Sequence, residues 1–260
     1  MFFKKPIKLT AYTHDLSVYN NCQLNYGDKL PKPSFLKNMQ TAIKTWNERI
    51  GLFDKVGTVA VCPGVREFLS KPIHLNMWAE VDIRINPDGS WSSTCQSRPE
   101  LGTEISQHHE DQWRGMYPGK RIALKLSNPW KLVSTDDIYY VFTESHYSTS
   151  YFREKGIWIS PGVTSFKWQH ATNIHLNCPV KDEPYVITLK HGMPLVSLFP
   201  LTERNVDLKC KKVDYNTWGE IGEHFPRVPV GKYFKQAGYK KWRQFIGHRG
   251  TSKTCTLKCF

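Results

Sequence analysis

The sequence has no long apolar run and none of the common nucleotide-binding or nucleophile motifs. No stretch approaches the roughly 20 apolar residues that a membrane-spanning helix needs, and the opening MFFKKPIKLT has no apolar segment typical of a secretory signal. A P-loop, a GxGxxG turn after a strand and a GxSxG elbow are also missing. We therefore expect no membrane segment and no secretion through a signal peptide.

Acidic residues are missing from one part of the chain. Residues 231–260 hold eight Lys or Arg and no Asp or Glu, and the first ten residues add Lys4, Lys5 and Lys8. Taking these eight and three charges from the net charge of +13 leaves +2 for the residues between. A nearly neutral body with basic ends favours a partner that is a polyanion, such as nucleic acid.

Cysteines are few and scattered, and their number, seven, is odd. In a chain without an export signal this pattern indicates free thiols rather than a disulfide framework. Cys255 and Cys259, with His248 and Cys210, offer a zinc-binding alternative, but the paired CxxC spacing of zinc knuckles is missing.

Period-two alternation of apolar residues is the main secondary-structure signal. It recurs in short stretches such as RIALKL, TNIHLNC, YVITL and VDLKC, separated by Pro, Gly, Asn and Asp. Residues 1–33 read as irregular, Phe35–Ile50 has the three- and four-residue apolar spacing of a helix capped by Ser34 and ended by Gly51, and Pro63–Gly64 breaks a short strand.

This pattern predicts a mainly β protein, an antiparallel β-sandwich of jelly-roll type with one N-terminal helix and a basic C-terminal arm. The predicted division is an N-terminal segment with its helix packed on the sandwich (1–54), the β-sandwich domain (55–230) and the basic, aromatic arm (231–260).

The stretch KPIHLNMWAEVDIRINPDG predicts one long half-buried strand from Ile73 to Ile85, closed by the turn residues 86–89. Leu75, Met77, Val81 and Ile83 should be buried, and the charged residues between them more exposed. Glu80 and Asp82 would lie about 6.6 Å apart on the polar face, a spacing that acid–base catalysis can use. Because Arg84 continues the row of charged residues on this face, a solvated charged face explains the spacing of Glu80 and Asp82 equally well.

The segment SQHHEDQW contains the densest cluster of candidate metal ligands. His109 and Asp111 form an HxD pair, and His108 and Glu110 form an HxE pair. With a distant third ligand, such a pair can hold Fe(II) in a jelly-roll oxygenase. The candidate site is His109, Asp111 and His175, with His170 and His191 as alternatives for the third ligand. A solvated loop between strands is the competing interpretation.

Several stretches together resemble an uncharacterised family of proteins from tailed bacteriophages, especially marine ones. They include HLNMWAEVDIRINPDG, HHEDQW, LKLSNPWKL, PGVTSFKWQHATNIHLNCP and GMPLVSLFPLTERNVDLK, and the resemblance covers roughly residues 55–215. It implies a viral origin and a place of action in an infected bacterial cytoplasm or a virion. It carries no activity and no site residues, and the ending KTCTLKCF departs from the family's more compact Cys-Pro-Phe ending.

Two function classes follow from the sequence. The first is a non-enzymatic binding or assembly protein without a cofactor, in which the arm contacts nucleic acid or another phage protein; an oligomer is compatible with it. The arm residues expected to make that contact are Lys232, Lys235, Lys240, Lys241, Trp242, Arg243 and Arg249. The second is a non-haem iron oxygenase of the 2-oxoglutarate type, using Fe(II) at the histidine cluster.

Overall fold

Strands form most of the regular structure in the computed structural model, which describes residues 5–30, 42–49, 51–95, 105–109 and 115–223. The strands in these residues are β1 (Ile7–Thr13), β2 (Asn25–Tyr26), β3 (Ala42–Asn47), β4 (Leu52–Gly57), β5 (Ile73–Asn76), β6 (Val81–Ile85), β7 (Trp91–Thr94), β8 (Ile105–Gln107), β9 (Arg121–Leu126), β10 (Lys131–Ser134), β11 (Tyr140–Glu144), β12 (Trp158–Ile159), β13 (Gly162–Thr164), β14 (Ile174–Pro179), β15 (Tyr185–Leu189), β16 (Pro194–Pro200) and β17 (Val206–Lys212). The helices are α1 (Leu16–Asn21), α2 (Pro63–Ser70), α3 (Thr149–Lys155) and α4 (Tyr215–Glu223), with 3-10 turns at Gly27–Lys29 and Val59–Val61.

The strands pair into several sheets, nearly all antiparallel. Their orders are β10-β1-β17, β13-β11-β16-β5-β2, β12-β14-β9-β8, β15-β6-β7 and the hairpin β3-β4. The exception is β1, which runs parallel to β17 and antiparallel to β10. The prediction of a mainly β, largely antiparallel protein is therefore confirmed, while the jelly-roll arrangement stays a prediction.

The stretch from Ile73 to Ile85 is two strands rather than one. β5 pairs with β16 and β2, whereas β6 pairs with β15 and β7 in a different sheet. The odd-numbered residues are buried along its whole length, which hides the break from the alternation pattern. Glu80 and Arg84 are exposed and Asp82 is half-buried, as predicted, but His74 and Trp78 on the even positions are also buried.

The predicted N-terminal helix is wrong where the structure describes it, and residues 34–41 lie outside the described part. Ala42–Asn47 is strand β3, which pairs with β4 from Ala42–Gly57 to Asn47–Leu52. Gly51, expected to end a helix, instead closes the hairpin with a φ of 62° and donates its N–H to the Asn47 carbonyl at 2.9 Å. Cross-strand pairing of Trp46 with Phe53 thus replaces the helical apolar face.

Two further local predictions are corrected. Pro63 does not break a strand but occupies the first turn of α2, where its missing N–H costs nothing. The N-terminal residues are not irregular either, because Ile7–Thr13 forms β1. Its odd-numbered side chains are fully buried and its even-numbered ones face outward, so β1 from the predicted N-terminal segment is a central strand of a sheet.

One continuous cluster of buried side chains joins most of these elements. It draws on β1, β5, β6, β9, β14, β15 and β16 and includes Trp130 from the connection between β9 and β10 and Phe152 from α3. The exposed faces of the sheets and the hairpin β3–β4 remain accessible to a binding partner.

Candidate functional site

The histidine cluster lies on the outer face of the sheet β12-β14-β9-β8. On β14, His175 is opposite Lys125 of β9. His108 follows β8 and donates its backbone N–H to the Ala123 carbonyl at 2.9 Å. This pairing places the rings of His108 and His175 in contact, with centroids 4.8 Å apart at 71°.

The imidazole of His175 is partly withdrawn from water. Burial, with smaller contributions from His108 and Lys125, lowers its pKa from 6.5 to about 4. The ring is therefore neutral at pH 7, which is the form that ligates metals or accepts hydrogen bonds.

The three predicted metal ligands are only partly placed by the structure. The ring of His175 contacts that of His108, His109 is exposed, and Asp111 lies outside the described residues. Of the alternatives, His170 is buried with Nδ1 3.0 Å from the Leu132 carbonyl oxygen, and His191 is on an exposed turn. Within the described ranges, no three His, Cys, Asp or Glu side chains are grouped closely enough to hold a metal.

A row of buried polar side chains that the sequence analysis did not single out continues the same face. The Asn177 amide donates to Ser160 Oγ at 2.5 Å, and the Tyr117 hydroxyl lies 3.3 Å from the same oxygen. Asn177 is 1% exposed and Ser160 is 6% exposed. Alternation in TNIHLNC puts Asn177 beside His175, but only strand pairing brings Ser160 and Tyr117 to them.

Arg121 completes this row. Its guanidinium lies 4.2 Å from the Trp158 ring centroid and donates to the carbonyls of Gly156 and Asn177. The row borders two cavities. One, of about 200 Å³, is lined by His108, Tyr117, Lys120 and Arg121 among others, and the other, of about 180 Å³, is lined by Ser160 and His175 among others.

The carboxylates of Glu80 and Asp82 do not share an enclosed site. Asp82 accepts a 2.6 Å hydrogen bond from the Thr188 hydroxyl, and Glu80 is exposed ahead of β6. Arg84 on the same row donates to Asn86 at 3.3 Å. Local pairing on a solvated face accounts for the row.

A second candidate surface is the outer face of the sheet β10-β1-β17, which we call the basic face and define as Lys8, Tyr12, Lys209 and Lys211. In the parallel register, Lys8 is beside Asp207, Thr10 beside Lys209 and Tyr12 beside Lys211. The three lysines are exposed, and Lys209 also lies 3.6 Å from Asp207. Lysines that are far apart in sequence therefore share one face.

Helix α4 packs at the β10 edge of this sheet and is the last described element before the arm. The Lys131 ammonium lies 3.6 Å from the Trp218 ring centroid and donates to the Trp218 carbonyl at 2.5 Å. Trp218 Nε1 donates in turn to the Pro129 carbonyl at 3.3 Å. All seven arm residues expected to bind nucleic acid lie outside the described residues, as do Cys255, Cys259 and His248 of the zinc alternative.

Comparison with models of protein families and with curated proteins finds no match for this chain. In the described part of the chain, no helix has the length and apolar character required to cross a bilayer.

Proposed function

We propose that this chain is a non-enzymatic binding protein whose ligand is nucleic acid, contacted by the basic arm and by the basic face together. The observation that carries the proposal is the parallel pairing of β1 with β17. It brings Lys8, from the basic N-terminal stretch, beside Lys209 and Lys211, on the strand from which the chain continues through α4 to the arm. Lys8 of the basic N-terminal stretch and the lysines of β17 thereby contribute to one surface, and the basic arm follows β17 and α4 in the sequence.

Phosphate neutralisation explains why such a surface would bind. Each lysine or arginine that contacts a phosphate releases a condensed counterion, so affinity falls as the salt concentration rises. For single strands, the logarithm of the binding constant falls by roughly 0.7 per contacted phosphate for each tenfold rise in salt. Tyr12 on the basic face, and Trp242 in the arm, are aromatic residues of the kind on which bases stack. In line with the resemblance, we propose that this binding or assembly role belongs to a phage protein of jelly-roll type acting in infected cells or a virion.

The test compares three variants with the unaltered chain in titrations of labelled single-stranded DNA at low and moderate salt. Truncation after Val230 and the triple change Lys8→Gln, Lys209→Gln and Lys211→Gln should each weaken binding and flatten the salt dependence. The control changes Lys155, Lys181 and Lys190 to Gln, which removes the same charge from another part of the surface. Binding that survives both test changes, or that falls equally in the control, contradicts the proposal; tight binding of a protein partner through the arm instead would replace it.

A second candidate function, the Fe(II) oxygenase, is favoured by the contact between His108 and His175. Two imidazoles in contact across β9, with that of His175 neutral, fit two ligands of a non-haem iron site, and the HxE pair His108–Glu110 offers a carboxylate. Bound iron would supply oxygen activation, and the chain's residues would hold it. Metal analysis after purification with iron should then find about one iron per chain, lost in His108→Ala and His175→Ala but kept in His109→Ala. If the predicted set with His109 and Asp111 is correct, His109→Ala loses iron too.

A further inference from the structure

The hairpin β3–β4 presents large aromatic side chains to solvent. Trp46 is 55% exposed and Phe53 is 61% exposed, although side chains of this size are usually withdrawn from water. They are direct cross-strand partners, and their rings meet edge to face with centroids 5.2 Å apart. The pair therefore forms a preformed aromatic platform rather than two independent side chains.

Cations share the face of the hairpin that carries this pair. Lys44 is opposite Lys55 in the register, two residues from Trp46 and Phe53, so alternation puts all four side chains on one side. The Lys44 ammonium lies 5.4 Å from the Phe53 ring centroid. We call these four residues the aromatic platform. The reverse side carries the aliphatic residues Ile43, Leu52 and Val56.

The helix that follows the hairpin packs near the start of β17. Ser70 and Lys71, at the end of α2, line a cavity of about 360 Å³ together with residues 204–206, where β17 begins. Phe68 of α2 also stacks on Phe199 at 4.8 Å. The end of α2, the helix that follows the hairpin in the chain, therefore borders the start of β17, the strand that carries Lys209 and Lys211.

We propose that the aromatic platform binds single-stranded nucleic acid, with bases stacked on Trp46 and Phe53 and phosphates beside Lys44 and Lys55. The inference rests on the proposed function and adds a base-contacting site to it. Exposed aromatic rings flanked by ammonium groups complement a strand whose bases are flat and apolar and whose backbone is anionic. A duplex offers no free base faces, so the platform distinguishes single strands from double strands.

The test separates stacking from charge by using two probes with equal numbers of phosphates. One is an oligothymidylate, and the other is an abasic deoxyribose-phosphate oligomer of the same length. Stacking is worth about 1–3 kcal/mol per base, so the unaltered chain should prefer the oligothymidylate by about fivefold or more. In the full chain, Trp46→Ala with Phe53→Ala should reduce this preference by about fivefold or more and leave binding of the abasic oligomer unchanged. Stacking on Tyr12 and Trp242 accounts for any preference that remains.

Two further variants test whether a lost base preference reflects damage to the hairpin rather than loss of the stacking rings. Leu52→Ala with Val56→Ala removes exposed apolar surface from the reverse side of the same hairpin and should keep the preference. Trp46→Phe with Phe53→Trp exchanges the rings while retaining both π faces, and it should also keep the preference. Loss of the preference in either variant would overturn the assignment of the site to this face.

The outcomes distinguish this inference from the proposed function. Equal binding of both oligomers by the unaltered chain, reduced by truncation after Val230, overturns the platform and leaves the proposed function standing. A base preference that persists after truncation supports the platform, and overall affinity that truncation leaves unchanged contradicts the arm. No binding of either oligomer overturns both, and an altered oligomeric state in Trp46→Ala with Phe53→Ala, measured by light scattering, would assign the platform to contact between copies of the chain.

Discussion

The imidazole of His74 is enclosed between two serine hydroxyls. Its Nδ1 lies 3.3 Å from Ser145 Oγ and 3.3 Å from Ser197 Oγ, and the residue is 1% exposed. Tyr147 packs edge-on against the ring at 5.0 Å. Burial, and to a smaller extent His146, lowers the pKa of His74 from 6.5 to about 4.

Stability should therefore depend on pH through His74. In the unfolded chain the group binds a proton below pH 6.5, whereas in the folded chain it does so only below about 4. The unfolded state thus binds more protons in this window, so the free energy of unfolding falls as the pH falls from 6.5 towards 4, by about 3 kcal/mol for this group.

Urea denaturation at a series of pH values measures this effect. His74→Gln should flatten the slope between pH 6.5 and 4, and adding His175→Gln should flatten it further because the pKa of His175 is lowered in the same way. Tyr147→Phe removes the 3.0 Å hydrogen bond to the Gly27 carbonyl but no group that titrates in this window, so its slope should match the unaltered chain. An unchanged slope in His74→Gln would contradict the prediction.

Val81 offers a test of the buried side of β6. The residue is 2% exposed, so Val81→Asp should lower the free energy of unfolding by about 4 kcal/mol or more, because the new carboxylate has no partner in the core. Val186 is 42% exposed on the neighbouring strand and faces Arg84. Val186→Asp should stay within about 0.5 kcal/mol of the unaltered chain, and similar melting temperatures for the two variants would refute the strand orientation.

Among the elements, α4 is fixed to the sheet mainly through one residue. Trp218 contacts the Lys131 ammonium, the Pro129 carbonyl and the His14 ring, whose centroid is 4.5 Å away. These contacts are worth about 1–2 kcal/mol beyond helix propensity. The helix should therefore open locally when they are removed.

Limited proteolysis with a Glu-specific protease measures this opening at Glu220. Cleavage should be roughly tenfold faster in Trp218→Ala, since a loss of about 1.4 kcal/mol in local stability raises the open population tenfold. Trp168, whose Nε1 donates to Asp137 at 3.2 Å on a different surface, provides the control as Trp168→Ala. Equal rates in all three proteins would show that α4 does not depend on Trp218.

Elements with local signals were predictable from the sequence, and elements set by pairing were not. The strands at 121–126, 174–179, 185–189 and 206–212 follow directly from alternation. Strand β3 is predicted as part of a helix because Ile43 and Trp46 also fit a helical spacing, and the cross-strand contact of Trp46 with Phe53 of β4 resolves the ambiguity.

The candidate site was also only partly predictable from the sequence, because strand pairing brings its residues together. Alternation in TNIHLNC puts His175 on the side of β14 opposite Ile174 and Leu176, but the contact of its ring with His108 depends on the register of β8 against β9. Arg121, Ser160 and Tyr117 come from three different parts of the chain, so no local pattern joins them. The excess of lysines could be counted from the sequence, but the pairing of β1 with β17 was needed to show that some of them share the basic face.

At the scale of the whole molecule, the cysteines can report on global unfolding. Cys22 and Cys178 are buried, and burial raises the pKa of each thiol to about 12. Cys62 is exposed ahead of α2. Alkylation of the native protein, mapped by peptide mass, should modify Cys62 quickly and reach Cys22 and Cys178 only at the rate of global unfolding. Faster modification of Cys178 than of Cys22 would reveal an independent opening of β14.

The pairing of β1 with β17 also determines when the basic face can form during synthesis of the chain. β1 leaves the ribosome early but stays without its parallel neighbour until residues 206–212 have been made, which takes roughly 10–40 s at an elongation rate of about 5–20 residues per second. Until then β1 has one open edge and the lysines of the two strands are apart. A nascent or prematurely ended chain therefore cannot present the complete basic face, and competence for the proposed binding arises only after translation has passed β17.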